Sequence, residues 1–171
     1  MGSMQMEKFM KINYEIVFKN LKLFPREEYR KTNLPEKEKK MLCEDGLPEV
    51  PLHFLHFYTQ SDSLIIVNDD CISIGSDNGT EICIDPNNEI VSVDAYGVYP
   101  KRFVNSSLES LFECVAIYLI YNDRLMSAED DEISILIGEI RQKFNRVDER
   151  ALDDEENWWS VILEQVEDGL A

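Results

Sequence analysis

Residues 74–85, "IGSDNGTEICID", set two glycines around a Ser-Asp-Asn triplet and follow them with Glu81 and Asp85. Such residues can cradle a phosphate on backbone amides or cage a metal between carboxylates. Neither template fits. A phosphate loop needs G-x-x-x-x-G-K-[ST], but Gly79 comes one position early after Gly75 and is followed by Thr80. A calcium loop counted from Asp77 puts Gly79 at position 3, where an oxygen ligand is required. Counted from Asp85, it puts Ile90 at position 6 and Tyr96 at position 12. The stretch reads instead as a strand-connecting bend, with Gly75 and Gly79 bracketing Asp77-Asn78 as turn residues do.

The other chemistry-bearing residues are sparse. His53 and His56 are the two histidines of the chain. Their H-x-x-H spacing suits a metal on a helix, whereas on a strand an offset of three sends them to opposite faces. Cys43, Cys71, Cys83 and Cys114 are 28, 12 and 31 positions apart, with no C-x-x-C, and read as small buried hydrophobes. No serine or cysteine sits in a nucleophile motif. Paired carboxylates such as Asp69-Asp70 and Asp130-Asp131 are too common among 34 acidic residues to signal acid-base catalysis. Trp158-Trp159 reads as a core anchor with a rim partner, or as an interface edge. These patterns point to no catalytic residue, no metal site and no cofactor, and hence to a protein that is not an enzyme.

Charge says more. The 171 residues carry a formal net charge of −17, which excludes generic affinity for nucleic acid and favours basic partners. The segment 1–40 holds ten basic and six acidic residues, whereas 41–126 holds three against fourteen and 127–171 four against fourteen. The acidity belongs to the body and the C-terminal part, and the basic N-terminal segment reads as a solvated helical face. No apolar run approaches the roughly 18 residues of a membrane span, and the N-terminus lacks the apolar region of a secretory signal. The chain is therefore expected to be soluble and cytoplasmic, with residues 1–4 a cloning remnant and 5–171 a single domain.

Tyr14, Val17, Phe18 and Leu21 fall on one helical face, so a first helix is expected there. A second should start at Pro35 and end at Gly46 in a left-handed cap. From 53 to 97 the strand-length runs "HFLHFY", "SLIIV", "CISIG", "TEICI" and "EIVSV" alternate with Asp, Asn and Gly. The "DPNN" turn suits a hairpin with Pro86 and Asn87 central and Asn88 left-handed. In it Ile82 and Ile84 are expected to meet Val91 and Val93, with Glu81, Cys83 and Asp85 on the other face. Ser106-x-x-Glu109 has capping-box spacing ahead of the stripe Leu108, Leu111, Phe112, Val115 and Leu119. A further helix follows Ser127, with Ile133, Leu136, Ile137, Ile140 and Phe144 buried. A last one is expected from about Asp154, burying Trp159, Ile162, Leu163 and Val166 and ending before Gly169.

In order, "EDGLP", "ISIGSDNGTEICID", "VNSSLESLFECVAIY" and "ENWWSVILEQVEDGL" resemble the immunity-protein branch of the SUKH superfamily, over roughly residues 42–170. The fourth SUKH immunity family is the nearest in kind. The resemblance implies an α+β fold, with an antiparallel curved sheet of about five to six strands flanked by N-terminal and C-terminal helices. It also implies a non-catalytic binding module that neutralises a cognate bacterial polymorphic toxin, a nuclease or nucleic-acid deaminase with a basic active-site cleft. The candidate contact residues are then Asp69, Asp70, Asp77, Asp85 and Glu89 on the sheet bends, with Asp153, Asp154, Glu155 and Glu156 as the rival surface. The alternative is a SUKH-like intracellular regulator or scaffold without a toxin partner, distinguished by the absence of a neighbouring toxin gene.

Overall fold

β-branched runs punctuated by Asn, Asp and Gly favour short strands joined by tight turns. The computed structural model, which describes residues 18–30, 32–60 and 62–169, places such strands through most of the chain before residue 105. The order is β1 (Lys19–Lys22), α1 (Arg26–Arg30), α2 (Glu36–Lys40) running into a π-helical turn (Met41–Asp45), β2 (Leu47–Glu49), β3 (His56–Phe57), β4 (Ile65–Val67), β5 (Cys71–Ser76), β6 (Glu81–Ile84), β7 (Ile90–Val93) and β8 (Arg102–Asn105). The helices α3 (Leu108–Ser127), α4 (Asp130–Val147) and α5 (Trp158–Glu167) follow. The fold is α+β. One compact unit comprises Phe18–Phe103, and the helical unit begins at Val104.

β1 pairs antiparallel with β2, Lys19 opposite Glu49 and Lys22 opposite Leu47. This corrects the first expected helix at its C-terminal end, because Leu21 lies on a strand; Tyr14 and Val17 fall outside the described residues. Asn20 adopts a φ of 54°, incompatible with a right-handed helix, and the β2 partner satisfies the backbone in its place. Pro35 is the residue before α2. Gly46 ends the helical segment at φ 91° and ψ 164°, an extended conformation open to glycine alone, in place of the expected left-handed cap.

The main sheet runs β3-β5-β6-β7-β8, and β4 also pairs with β5. The pairings of β3, β4 and β6 with β5, and of β6 with β7, are antiparallel. The ladder between β5 and β6 shifts register between Ser73 and Gly75. A Cβ on Gly75 would strike the His56 carbonyl of β3, so only glycine lets this edge approach. "HFLHFY" is correspondingly broken: Leu52 and Leu55 form a bridge around a turn that contains His53, and the strand is confined to His56 and Phe57.

The "DPNN" turn forms with Asn88 at φ 64° and hydrogen bonds from the Asp85 amide to the Glu89 carbonyl and from the Asn88 amide to the Asp85 carbonyl, both 2.9 Å. Its register differs from expectation. The odd loop pairs residues of like parity, so Ile84 faces Ile90, Cys83 faces Val91 and Ile82 faces Ser92. Val91 and Val93 consequently join Cys83, Cys71 and Val67 in one apolar cluster, while Ile74, Ile82, Ile84 and Ile90 are fully buried. A half-buried polar bridge spans the strands: Ser73 and Tyr58 both donate to Glu81 Oε2, at 2.7 and 2.6 Å.

The helical unit is organised around a buried carboxylate. Asp148, just past α4, accepts from the Ser106 amide (2.7 Å) and hydroxyl (2.8 Å), the Ser110 hydroxyl (3.1 Å) and Asn105 Nδ2 (3.0 Å). Asn105 Oδ1 in turn accepts from Trp159 Nε1 at 2.9 Å. The capping box therefore lies one residue later than expected, at Ser107 and Ser110, because Ser106 is committed to Asp148. Trp159 packs edge-on to Phe144 and to Trp158, each at 4.8 Å between centroids, and both tryptophans are buried, so Trp158 is no rim residue. α5 starts at Trp158 instead of near Asp154, since the Asp154 carboxylate caps the Glu156 amide at 2.8 Å in a preceding turn.

Two consequences are measurable. Gly75→Ala should lower the unfolding free energy by about 2 kcal/mol, whereas Gly138→Ala, in α4 with nothing near the added Cβ, should raise it by roughly 0.5 kcal/mol; urea denaturation compares them. Burial alone would raise the Asp148 carboxyl, but the donors from Ser106, Asn105 and Ser110 outweigh it and hold the group below its ordinary value. Its contribution is therefore complete above the unfolded carboxyl value of about 4 and lost as pH falls through the lower folded value. Unfolding curves of wild type and Asp148→Asn should converge in acid; an undiminished gap at about pH 2 would refute the assignment.

Candidate functional site

The strand ladder sorts the candidate acids into two places. β4 turns into β5 through residues 68–70, with Asn68 and Asp69 at φ 53° and 70°. Val67 pairs with Cys71, Ile72 with Ile84 and Ile84 with Ile90, so this turn lies at the same end of the sheet as the 85–89 turn. Asp69 and Asp70 are exposed there and Glu89 is half-buried. Asp85 is 6% exposed. Its Oδ1 accepts from the amides of Asn87 (2.9 Å) and Glu89 (3.0 Å), and Lys101 Nζ stands 4.0 Å from its Oδ2. Asp85 thus holds the turn from inside and offers little to a partner.

Asp77 belongs to the opposite end, across the length of β5, roughly 20 Å of extended chain. Half-buried, it accepts from the amides of Thr80 (2.7 Å) and Gly79 (3.1 Å) through Oδ1. Residues 74–85 are accordingly the end of one strand, an Asp-capped bend and the next strand. His53 and His56 are exposed, and Asn78 Nδ2 donates to the His53 carbonyl at 2.5 Å. The rival acids Asp153, Asp154, Glu155 and Glu156 are exposed in the turn before α5, where Asp153 Oδ1 accepts from Asn157 Nδ2 at 3.0 Å.

Sequence reasoning missed one element at the Asp77 end. Asp94, buried where β7 stops, accepts from the Tyr96 amide through Oδ1 and from the Val98 and Tyr99 amides through Oδ2, all at 3.0 Å. These amide bonds hold its carboxyl below the ordinary range. The Gly97 amide donates to the Asp94 carbonyl at 3.0 Å. The signal was present in "DAYGVYP", an Asp able to form an Asx turn followed by three large apolar residues around a glycine.

Little supports catalysis at these places. Burial pushes the Cys71 thiol up to about 11 and Cys83 up to about 12, and it raises Cys43 and Cys114 as well; protonated thiols are poor nucleophiles. Among the described residues no three His, Cys, Asp or Glu side chains converge as a metal site, and no helix is long and apolar enough to cross a membrane. What the surface offers is fixed backbone, exposed carboxylates and exposed aromatic rings, the materials of protein recognition.

The family model of the SUKH-4 immunity protein matches residues 17–165, a span that includes strands β1 to β8 and most of the helical unit. No curated protein and no solved structure matches the chain.

The two kinds of acid differ in what their removal does. Asp85→Ala leaves two turn amides without their acceptor and should cost about 1–2 kcal/mol of stability, while Asp69→Asn with Asp70→Asn should stay within about 0.5 kcal/mol. Thermal and urea unfolding of the two variants checks this; equal effects would mean that Asp85 is not a structural latch.

Proposed function

The chain belongs to the SUKH-4 immunity protein family, and from this premise we propose that it binds and neutralises the toxin domain of a cognate bacterial polymorphic toxin in the cytoplasm of the producing cell. The carrying observation is the family match over residues 17–165. Binding is stoichiometric and needs no catalysis, cofactor or metal. The two units serve as one binding domain.

The toxin is a nuclease or nucleic-acid deaminase. Such enzymes need basic clefts to hold phosphate, and an inhibitor of net charge −17 is drawn to that field across about one Debye length, roughly 30 Å at 0.01 M salt. Asp69 and Asp70, exposed on a turn, are the best placed to contribute, with Glu89 beside them and Asp77 at the far end of the sheet. Asp85 contributes by holding the turn. Asp153, Asp154, Glu155 and Glu156 form the competing surface.

Two measurements test this reading. Co-expression should rescue cells from the toxin domain encoded next to this gene and from no unrelated toxin, because specificity needs a matched interface; broad rescue would indicate a general stress effect, and no rescue would favour the regulator or scaffold. With the purified pair, Asp69→Asn combined with Asp70→Asn should slow association several-fold and flatten its dependence on ionic strength. A variant matched in charge, Asp153→Asn with Asp154→Asn, should leave the rate unchanged; the reverse result would move the contact to the helical unit.

A further inference from the structure

Residues 95–100 form a loop whose every residue is exposed. Tyr96 is 92% exposed, Val98 72% and Tyr99 69%. These three side chains add nothing to the core, and neither tyrosine ring makes a hydrogen bond or ring contact among the described residues. Leaving such residues in water is unfavourable, and isolated exposed hydrophobics are ordinary. Three on one six-residue loop are a cluster.

The backbone beneath them is fixed. Asp94 binds three of the loop's amides at 3.0 Å, and its own carbonyl takes a fourth from Gly97. A buried carboxylate is thus committed to the shape of a segment that contributes no core residue. Pre-setting a loop in this way lowers the entropy lost on binding, and tyrosine on a rigid loop supplies large contact area with few rotatable bonds.

Position also matters. The loop starts where β7 stops, and Lys101, which follows it, places its ammonium 4.0 Å from Asp85. The segment therefore starts at the Asp77 end of the sheet, where β7 stops, and by Lys101 has reached the end that carries Asp85 and the 68–70 turn. A second copy of this chain is a poor occupant, since −17 would face −17. A cationic partner is favoured by the same charge.

We infer that the loop 95–100, fixed by Asp94, is the hydrophobic anchor that holds the toxin domain: Tyr96, Val98 and Tyr99 enter an apolar recess of the toxin whose rim is basic. The inference rests on the proposed immunity function and adds to it the contact that sets residence time. Exposed acids govern encounter; the anchor governs escape.

The experiment uses the full chain and the catalytically inactivated toxin domain encoded by the adjacent gene, with association and dissociation followed by surface plasmon resonance. Tyr96→Ala with Tyr99→Ala should raise the dissociation rate on the order of 100-fold, as loss of aromatic hot spots does, and leave the association rate within about twofold. Thermal unfolding should be unchanged, because both rings are exposed. Asp94→Asn, which keeps the side-chain shape but weakens the amide cradle, should accelerate dissociation less than the double variant. If wild type fails to bind, the immunity reading fails and takes this one with it. If wild type binds and the double variant dissociates at the same rate, the anchor is elsewhere and the immunity reading stands. If sedimentation shows a wild-type dimer that the double variant abolishes, the loop's occupant is a second copy and the inference is overturned.

Discussion

The carboxylate of Asp148 ties the entry of α3 to the exit of α4 and, through Asn105, to the indole of Trp159 on α5. A buried carboxylate is costly unless its lone pairs are filled, and here four donors fill them. The requirement runs both ways: the half-buried Ser106 amide and hydroxyl depend on Asp148 as their acceptor, and the buried Asn105 would be left with only the weak Cys114 sulfur at 3.5 Å. The site specifies which turn of α4 meets the start of α3, a geometric choice that the apolar stripes alone leave loose, because leucine and isoleucine pack in more than one register.

The same device recurs at Asp85 and Asp94, each a buried aspartate closing a turn with backbone amides. In a chain with 34 acidic residues the net charge is thus a poor guide to the interaction surface. Some of the acids are structural, with their charge satisfied by amide dipoles, and others, such as Asp69 and Asp70, face solvent on tight turns. Only the second kind presents its oxygens directly to a partner.

This division explains what could be read from the amino-acid order. Strands at 71–76, 81–84 and 90–93 and the left-handed Asn88 follow from β-branched runs and turn chemistry, both local. Register was not legible in the same way, because it depends on whether Asn88 counts as a loop residue, and one residue moves Val91 and Val93 to the face of Cys83. The capping box was misplaced by one for a non-local reason: Ser106 is diverted by an aspartate 42 positions away. Leu21 lies on a strand although its spacing is helical, because a helical spacing over four residues is weaker than pairing with β2. Asp85 looked like a surface acid, since nothing near it in sequence reveals that its oxygens turn inward, and Trp158 looked like a rim residue although both tryptophans are buried. The family resemblance does not depend on these details, because it rests on the order of several segments and not on the faces of single residues.

The surface of the strand unit combines two features with different physical reach. Charge on the 68–70 turn acts across about 8 Å of physiological salt solution, whereas Tyr96, Val98 and Tyr99 act only when water has been expelled from between surfaces. The strand from one end of the sheet to the other is only roughly 20 Å long, short against the extent of a standard interface of roughly 800 Å² per partner. The Asp94 cradle fixes the backbone that carries those rings, so the loop's shape need not be found during an encounter, and only the side-chain rotamers remain to be ordered. The buried aspartate and the exposed ones thus differ in where their oxygens are committed: those of Asp94 hold a loop's backbone, and Asp69 and Asp70 remain in solvent.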